Sequence, residues 1–289
     1  MNEPRCSAVA LQLDEPLAGT AVDSVDSWFL LEVNDTWAPK AIETEALSPG
    51  VRRRLQDWLE ATPNSRLQLI RRPGRASSGS TFMWVSAAAR EITRVDLSSH
   101  EAMIDLDLDD LRSASVPMTT PICLVCVHGR RDRCCAQHGG AVFRAVCRED
   151  VETWQTSHLG GHRFAACALW LPDGLMYGRL RAGDAGSLVD AHRNGQIGDP
   201  AFFRGRCEYD RPTQAGEVFL RDRLGERALG ALEWRGTEPA GTDAWTVRFA
   251  ARGEEHVVQL ARTLRGDTRP PSCGADPEPI TVFIESSPS

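Results

Sequence analysis

The sequence predicts an α/β protein, on three observations. Apolar runs of strand length alternate with helical patterns that carry one apolar face. The order βαβ followed by ββα occurs twice, once on each side of residue 117. In the second copy, Pro172-Asp173-Gly174 separates two apolar runs as a strong turn signal.

Taken in order, Ser27–Val33 (SWFLLEV) is a compact run suited to a buried strand. Ser48-Pro49 then supplies an N-cap followed by proline at the first helical position. Val51, Leu55, Trp58 and Leu59 recur at helical spacing, so that helix has one face to bury. Arg66–Ile70 reads as a strand, Thr81–Ser86 and Ile92–Leu97 as a hairpin, and Leu106–Leu111 as a closing helix. The second copy runs through strand Pro121–Val127, helix Gln137–Cys147, strand Val151–Thr156, the strand pair Ala165–Leu171 and Leu175–Arg179, and helix Asp184–Arg193. This is the order of a thioredoxin-like fold. The two halves share no residue-level identity, so the first reads as a degenerate repeat. Beyond Asp199 the pattern changes to helix Thr213–Arg227 and strands Gly230–Arg235, Ala244–Ala250, His256–Leu260 and Ile280–Ile284, with GDTRPPSCGADPEP as a long loop.

Composition narrows the function classes. A net charge of −7, with no dense Lys/Arg stripe, argues against nucleic-acid binding, which needs a basic face to release counterions. Lys40 is the only lysine, so nearly all positive charge is arginine. No run approaches the roughly 18 consecutive apolar residues of a membrane span. The segment MNEPRCSAVALQLDEP lacks the basic start and unbroken apolar core of a signal peptide, so a cytoplasmic protein is expected. Nine cysteines, an odd number, in a reducing compartment point to metal ligands, thiols or core residues before disulfides.

Cys123, Cys126, Cys134, Cys135, His128, His138, His158 and His162 crowd the second half. Cys123-Leu-Val-Cys126 has the CxxC spacing of a redox dithiol. Both cysteines fall within one strand, however, and residues three apart face opposite sides of a sheet, beyond the roughly 3.5–4.5 Å between Cβ atoms that a disulfide needs. Cys126-Val-His128 and Cys135-Ala-Gln-His138 imitate the two boxes of a Rieske centre, but they share one short loop instead of two facing ones. His158 and His162 have spacing suited to zinc, whereas Cys126 and Cys135 are too far apart for the usual knuckle. A zinc-stabilised binding module stays open, as does a thiol-dependent redox enzyme at Cys134 or Cys135. So does the plain reading of all these groups as core and surface residues. In the thioredoxin-like order the loop Cys126 to Cys135 and the loop His158 to His162 lie at the same end of the sheet, so two donors from each converge. Gly160 and Gly161 let the second loop turn tightly and let backbone N–H groups approach an acceptor such as a bridging sulfide. Thiolates with imidazoles suit iron–sulfur or zinc over hard ions.

At these residues the chain resembles a known family. CVHGRRDRCCAQHG is similar to the CTHGxRDxCCAxxG signature of sucrase/ferredoxin-like proteins, and SHLGGHRFA to their HxGGH motif. Ser272–Gly274 and Ala18–Ala21 resemble that family's flanking segments. HLGGH followed by ALWLPDGLMYGRL also resembles a stretch of thioredoxin-like [2Fe–2S] ferredoxins, with His158 and His162 in place of two cluster cysteines. The resemblance implies a [2Fe–2S] cluster held by Cys126, Cys135, His158 and His162. It chooses Cys135, which spacing alone does not. His128, Arg131 and Asp132 match the signature and are expected to orient the loop or donate to cluster sulfurs. Cys6, Cys147, Cys167, Cys207 and Cys273 are expected to be core or incidental thiols, and no carboxylate pair for glycoside hydrolysis is evident.

The expectation is an α/β chain with a thioredoxin-like ferredoxin module at 118–198 between N-terminal (1–117) and C-terminal (199–289) α+β segments. It would carry single electrons, coupled to a histidine proton, between reductase or acceptor proteins, as a carrier more than a catalyst. Zinc is the alternative metal.

Overall fold

Trp28-Phe29-Leu30-Leu31 offers no polar residue for a wet face, and the strand it forms, β1 (Ser27–Glu32), is buried on both sides. The computed structural model describes residues 5–72, 79–114 and 118–286. The first half contributes α1 (Cys6–Gln12), β1, α2 (Pro49–Ala61), β2 (Ser65–Arg71), the hairpin β3 (Ser80–Ser86) and β4 (Glu91–Leu97), and α3 (Leu108–Ala114). The second contributes β5 (Ile122–Cys126), α4 (Arg133–Val146), β6 (Glu152–Thr156), β7 (Ala168–Leu171), β8 (Leu175–Tyr177) and α5 (Ala185–Arg193). With β9 (Phe203–Arg206) these strands form one nine-stranded sheet in the order β4-β3-β1-β2-β6-β5-β7-β8-β9.

The two halves have the same internal pairing. β1 lies parallel to β2 and antiparallel to β3, which pairs with β4. β5 lies parallel to β6 and antiparallel to β7, which pairs with β8. They meet edge to edge where β2 runs antiparallel to β6 through Ile70↔Thr156 and Arg71↔Gln155. This joins equivalent edges about an approximate two-fold axis. The degenerate repeat is therefore present as topology. Residue 117, where the first segment was expected to end, lies outside the described residues.

Beyond β9, α6 (Arg211–Leu224) packs on a separate antiparallel sheet of β10 (Glu233–Gly241), β11 (Ala244–Ala251), β12 (Glu254–Arg269) and β13 (Glu278–Glu285). Ala215 and Leu220 of α6 share an apolar cluster with Val247, Phe249, Val258 and Leu260.

Helix starts follow their caps. Ser48 accepts the Val51 N–H at 3.4 Å, and α2 buries Val51, Leu55 and Trp58, each contributing about 1.5–3 kcal/mol. α4 starts at Arg133, ahead of the expected Gln137, because Asp132 caps it by accepting the Cys134 N–H at 2.8 Å. β7 begins at Ala168, later than the expected Ala165, because a 3₁₀ turn over His162–Phe164, capped at Ala165, delays entry into the sheet.

Candidate metal centre

β5 separates the two cysteines of its CxxC sequence. Cys123 packs on one face with Val142, Trp170 and Tyr177, and Cys126 on the other with Leu124 and Trp154. Burial pushes the Cys123 thiol up to about 12.

Cys126 ends β5, and the chain turns at once: the N–H groups of Arg131 and Asp132 both donate to His128 O. Asp132 then starts α4, so Cys134 and Cys135 sit in its first turn, about 100° apart around the axis. Cys135 faces Cys126. A Cβ at Gly139, one turn further on, would strike the Cys126 carbonyl, so only glycine lets α4 lie this close to β5. The ligand atoms of Cys126, Cys135 and His158 lie within 4.8 Å of one another, with Cys135 Sγ 3.8 Å from His158 Nδ1. The Cys135 thiol, backed by His158, holds Cys126 well below the usual thiol range against the effect of burial, while Cys135 is pushed up.

His158 Nε2 lies 3.2 Å from His162 Nδ1, with the rings 4.9 Å apart at 31°. On its other side His162 Nε2 meets Pro271 O at 2.7 Å. A hydrogen bond there puts the proton on Nε2, so that Nδ1 accepts from His158 Nε2–H in this structure; the donor atoms gathered within 4.8 Å are those of Cys126, Cys135 and His158, with His162 one contact further out. Burial, and then the neighbouring His158, push the His162 pKa below its ordinary value and favour the neutral ring that a metal needs.

The loop between these histidines is anchored on several sides. The His158 N–H donates to His128 Nδ1 at 3.2 Å, and Gln68 Nε2 donates to His158 O at 3.4 Å. Gly160 and Gly161 have φ of +90° and +71°. A Cβ at Gly161 would collide with the buried Arg204 guanidinium, which donates to Gly160 O at 3.1 Å and to the Thr20 carbonyl. In this structure Gly161 makes room for an arginine, while a Cβ at Gly160 would press on Val22. Arg163, next to His162, pairs with the buried Glu15 at 2.8 Å, which also receives two bonds from Arg269.

Of the residues expected to support the site, His128 and Asp132 are buried beside it. Arg131 is exposed, and the bond it makes here is through its backbone N–H. Asp132 accepts from the backbone N–H groups of Cys134 and Cys273. Although burial pushes its carboxyl up, those N–H groups, from Cys273 and then Cys134, hold it below the usual range. Sequence reasoning passed over Arg204 and Pro271, and took Cys6 and Cys273 for core or incidental thiols; Cys6 is indeed fully buried. The structure brings Cys6 and Cys273 against Cys134. The signal for Cys273 was its place in a segment that resembles the family's flank; nothing local marks Cys6.

A thioredoxin-like unit with soft donors at one end of its sheet defines the class of this protein. The sucrase/ferredoxin-like family matches residues 17–205, and the chain belongs to that family. Among solved structures it is similar to the wild-type thioredoxin-like [2Fe–2S] ferredoxin from Aquifex aeolicus, at 20% identity over 30% of this chain and 98% of that one, with a TM-score of 0.27. A cysteine-to-serine variant of that ferredoxin gives 18% identity over 30% and 99%, also at 0.27. No curated protein matches. Among the described residues no helix is long and apolar enough to cross a membrane.

Proposed function

We propose that the chain is a one-electron carrier whose [2Fe–2S] cluster is held by Cys126 and Cys135 on one side and His158 and His162 on the other. The observation that supports this reading is the convergence of the Cys126 and Cys135 thiols with His158, whose Nε2 lies 3.2 Å from His162 Nδ1, while His162 Nε2 is directed at Pro271 O. Bound there, the cluster supplies one-electron chemistry. Two thiolates and two neutral imidazoles bring two negative charges where four thiolates bring four. Adding an electron within the smaller charge costs less electrostatic work, so the potential is expected to lie above that of a four-cysteine site. Cys126 and Cys135 are nearly inaccessible, which limits water at the thiolates. His162 keeps its exchangeable proton at Nε2, with the Asp132 carboxylate 3.8 Å away. Release of that proton on oxidation, and its return on reduction, would couple the electron to pH.

The partner is a reductase or acceptor protein. The cleft of about 690 Å³ beside Gly160 and Gly161 is lined by Arg66, Arg211 and Arg262 together with Asp23, Asp210 and Glu278, and Arg211 and Arg262 are ion-paired with Asp23 and Asp243, so it offers a partner a mixed-charge surface near the loop from His158 to His162.

Anaerobically purified full-length protein is expected to contain iron and acid-labile sulfide in equal amounts and to give a reduced-cluster EPR signal. Its midpoint potential is expected to fall by up to about 59 mV per pH unit, and His162→Cys to flatten that slope. An iron-free protein sinks the proposal. A wild-type potential flat from roughly pH 6 to 10 sinks its proton-coupled part.

A further inference from the structure

Cys134 and Cys135 are adjacent, yet their sulfurs go to different places. Cys135 faces Cys126 and His158, whereas Cys134 meets Cys6 from α1 and Cys273 from the loop after β12. The three sulfurs form a near-equilateral triangle: Cys6 to Cys134 is 3.5 Å, Cys134 to Cys273 is 3.4 Å, and Cys273 to Cys6 is 3.7 Å. The Asp132 carboxylate closes the figure at 3.5 Å from the Cys273 sulfur and 3.8 Å from that of Cys6. All four ligand atoms lie within 4.8 Å of one another.

We propose that Cys6, Cys134, Cys273 and Asp132 form a second metal site, for a zinc-class divalent cation, separate from the cluster site.

The dimensions support a tetrahedron. With Zn–S near 2.3 Å and Zn–O near 2.0–2.2 Å, its S–S edges are about 3.8 Å and its S–O edges about 3.6 Å, so the donors need to move only by tenths of an ångström. A disulfide would draw two of the sulfurs together and leave the third out, which an even triangle does not favour. Nor does apolar packing account for three thiols around a carboxylate. Three thiolates and a carboxylate select zinc over calcium or magnesium, which take oxygen donors. Binding would release the thiol protons. Each Asp132 oxygen already accepts one backbone N–H, and an ionised carboxylate has lone pairs left for a metal. Cys6 and Cys273 lie outside the family-matched residues 17–205, so this site is built partly by segments beyond that match.

The test uses the full-length protein, purified reduced, with zinc, iron and sulfide measured on one sample. About one zinc per chain is expected. After zinc removal, cobalt(II) should give the intense visible bands of a tetrahedral thiolate site. Cys273→Ser, in a partly exposed loop, is expected to weaken zinc binding by more than about tenfold while iron and sulfide stay. Cys126→Ser is expected to do the reverse, so failure of the cluster reading and failure of this one are distinguishable. A zinc-free wild type that gives no tetrahedral cobalt spectrum overturns the proposal whether or not any variant folds. So does zinc that survives Cys273→Ser but leaves with Cys126→Ser. A Cys6, Cys134 or Cys273 disulfide in the reduced protein would also overturn it.

Discussion

The two halves of the nine-stranded sheet share one strand order and differ in what their loops carry. In the first half the connection from β1 to α2 runs from Val33 to Ser48 and contains neither cysteine nor histidine. In the second the corresponding connection, Val127 to Asp132, is short and is bracketed by Cys126, Cys134 and Cys135. The backbone arrangement is thus indifferent to chemistry, and the donors are grafted onto one copy of it. The first half still takes part. Gln68 of β2 bonds the His158 carbonyl across the seam and accepts from Ser157 Oγ at 2.8 Å, and Trp37 meets the His128 ring edge-on at 5.8 Å. Apart from Cys6 in α1, which precedes the repeated unit, the first half has become the wall against which the loop from His158 to His162 is held.

The largest difference expected between the halves is in acid sensitivity. α5 carries His192, whose ring stacks on Trp170 at 3.9 Å and bonds the Tyr177 hydroxyl at 2.9 Å, whereas its counterpart α3 has no histidine. Burial, with Arg206 nearby, drives the His192 pKa down to about 3. The unfolded chain therefore takes up a proton near pH 6.5 that the folded chain refuses. Stability present above that pH is lost as pH falls toward 3, at up to about 1.4 kcal/mol per unit. Urea titrations near pH 7 and pH 5 should show this loss in the wild type and a smaller one in His192→Phe; equal slopes would remove the asymmetry.

A middle-sized effect tests the supporting role of the first half. Gln68→Ala strips partners from Ser157 and the His158 carbonyl, and is expected to lower stability by about 1–3 kcal/mol and to shift the pH dependence of the midpoint potential. Unchanged potentials would make the first half a bystander.

The smallest effect compares two helix caps at equivalent positions. Ser48→Ala, at the start of α2, is expected to destabilise by about 1 kcal/mol and to leave iron and zinc contents alone. Asp132→Ala removes the matching cap of α4 together with a carboxylate facing both sites, and should change metal content as well. Metal analysis beside chemical denaturation reads both outcomes.

Much of this was legible in local chemistry. The Ser48-Pro49 start of α2, the turn at Pro172-Asp173-Gly174 and the buried run of β1 depend on neighbours in sequence, and each appears as expected. The repeated order could be read from element succession alone. What was hidden depends on distant partners. α1 has only seven residues and no side-chain cap, and β9, with Gly205 inside FRGR, has little strand pattern of its own. β12 continues to Arg269 through polar residues because β13 pairs with it there. The seam between β2 and β6 rests on two residue pairs that no periodicity marks. Around the candidate site, the placement of the segments 126–135 and 158–162 at one end of the sheet could be read from the fold order. The meeting of Cys6 with Cys273 could not, since 267 positions separate them.

Gly139 bears on how sequence variation in this protein should be read. It donates nothing to a metal, but the Cys126 carbonyl fills the space that any side chain there would need. A larger residue would lever α4 off β5 and carry Cys134 and Cys135 with it, one away from each site. Intolerance to substitution at position 139 would thus mimic that of a ligand, and counting invariant positions would overstate how many residues belong to the proposed metal sites.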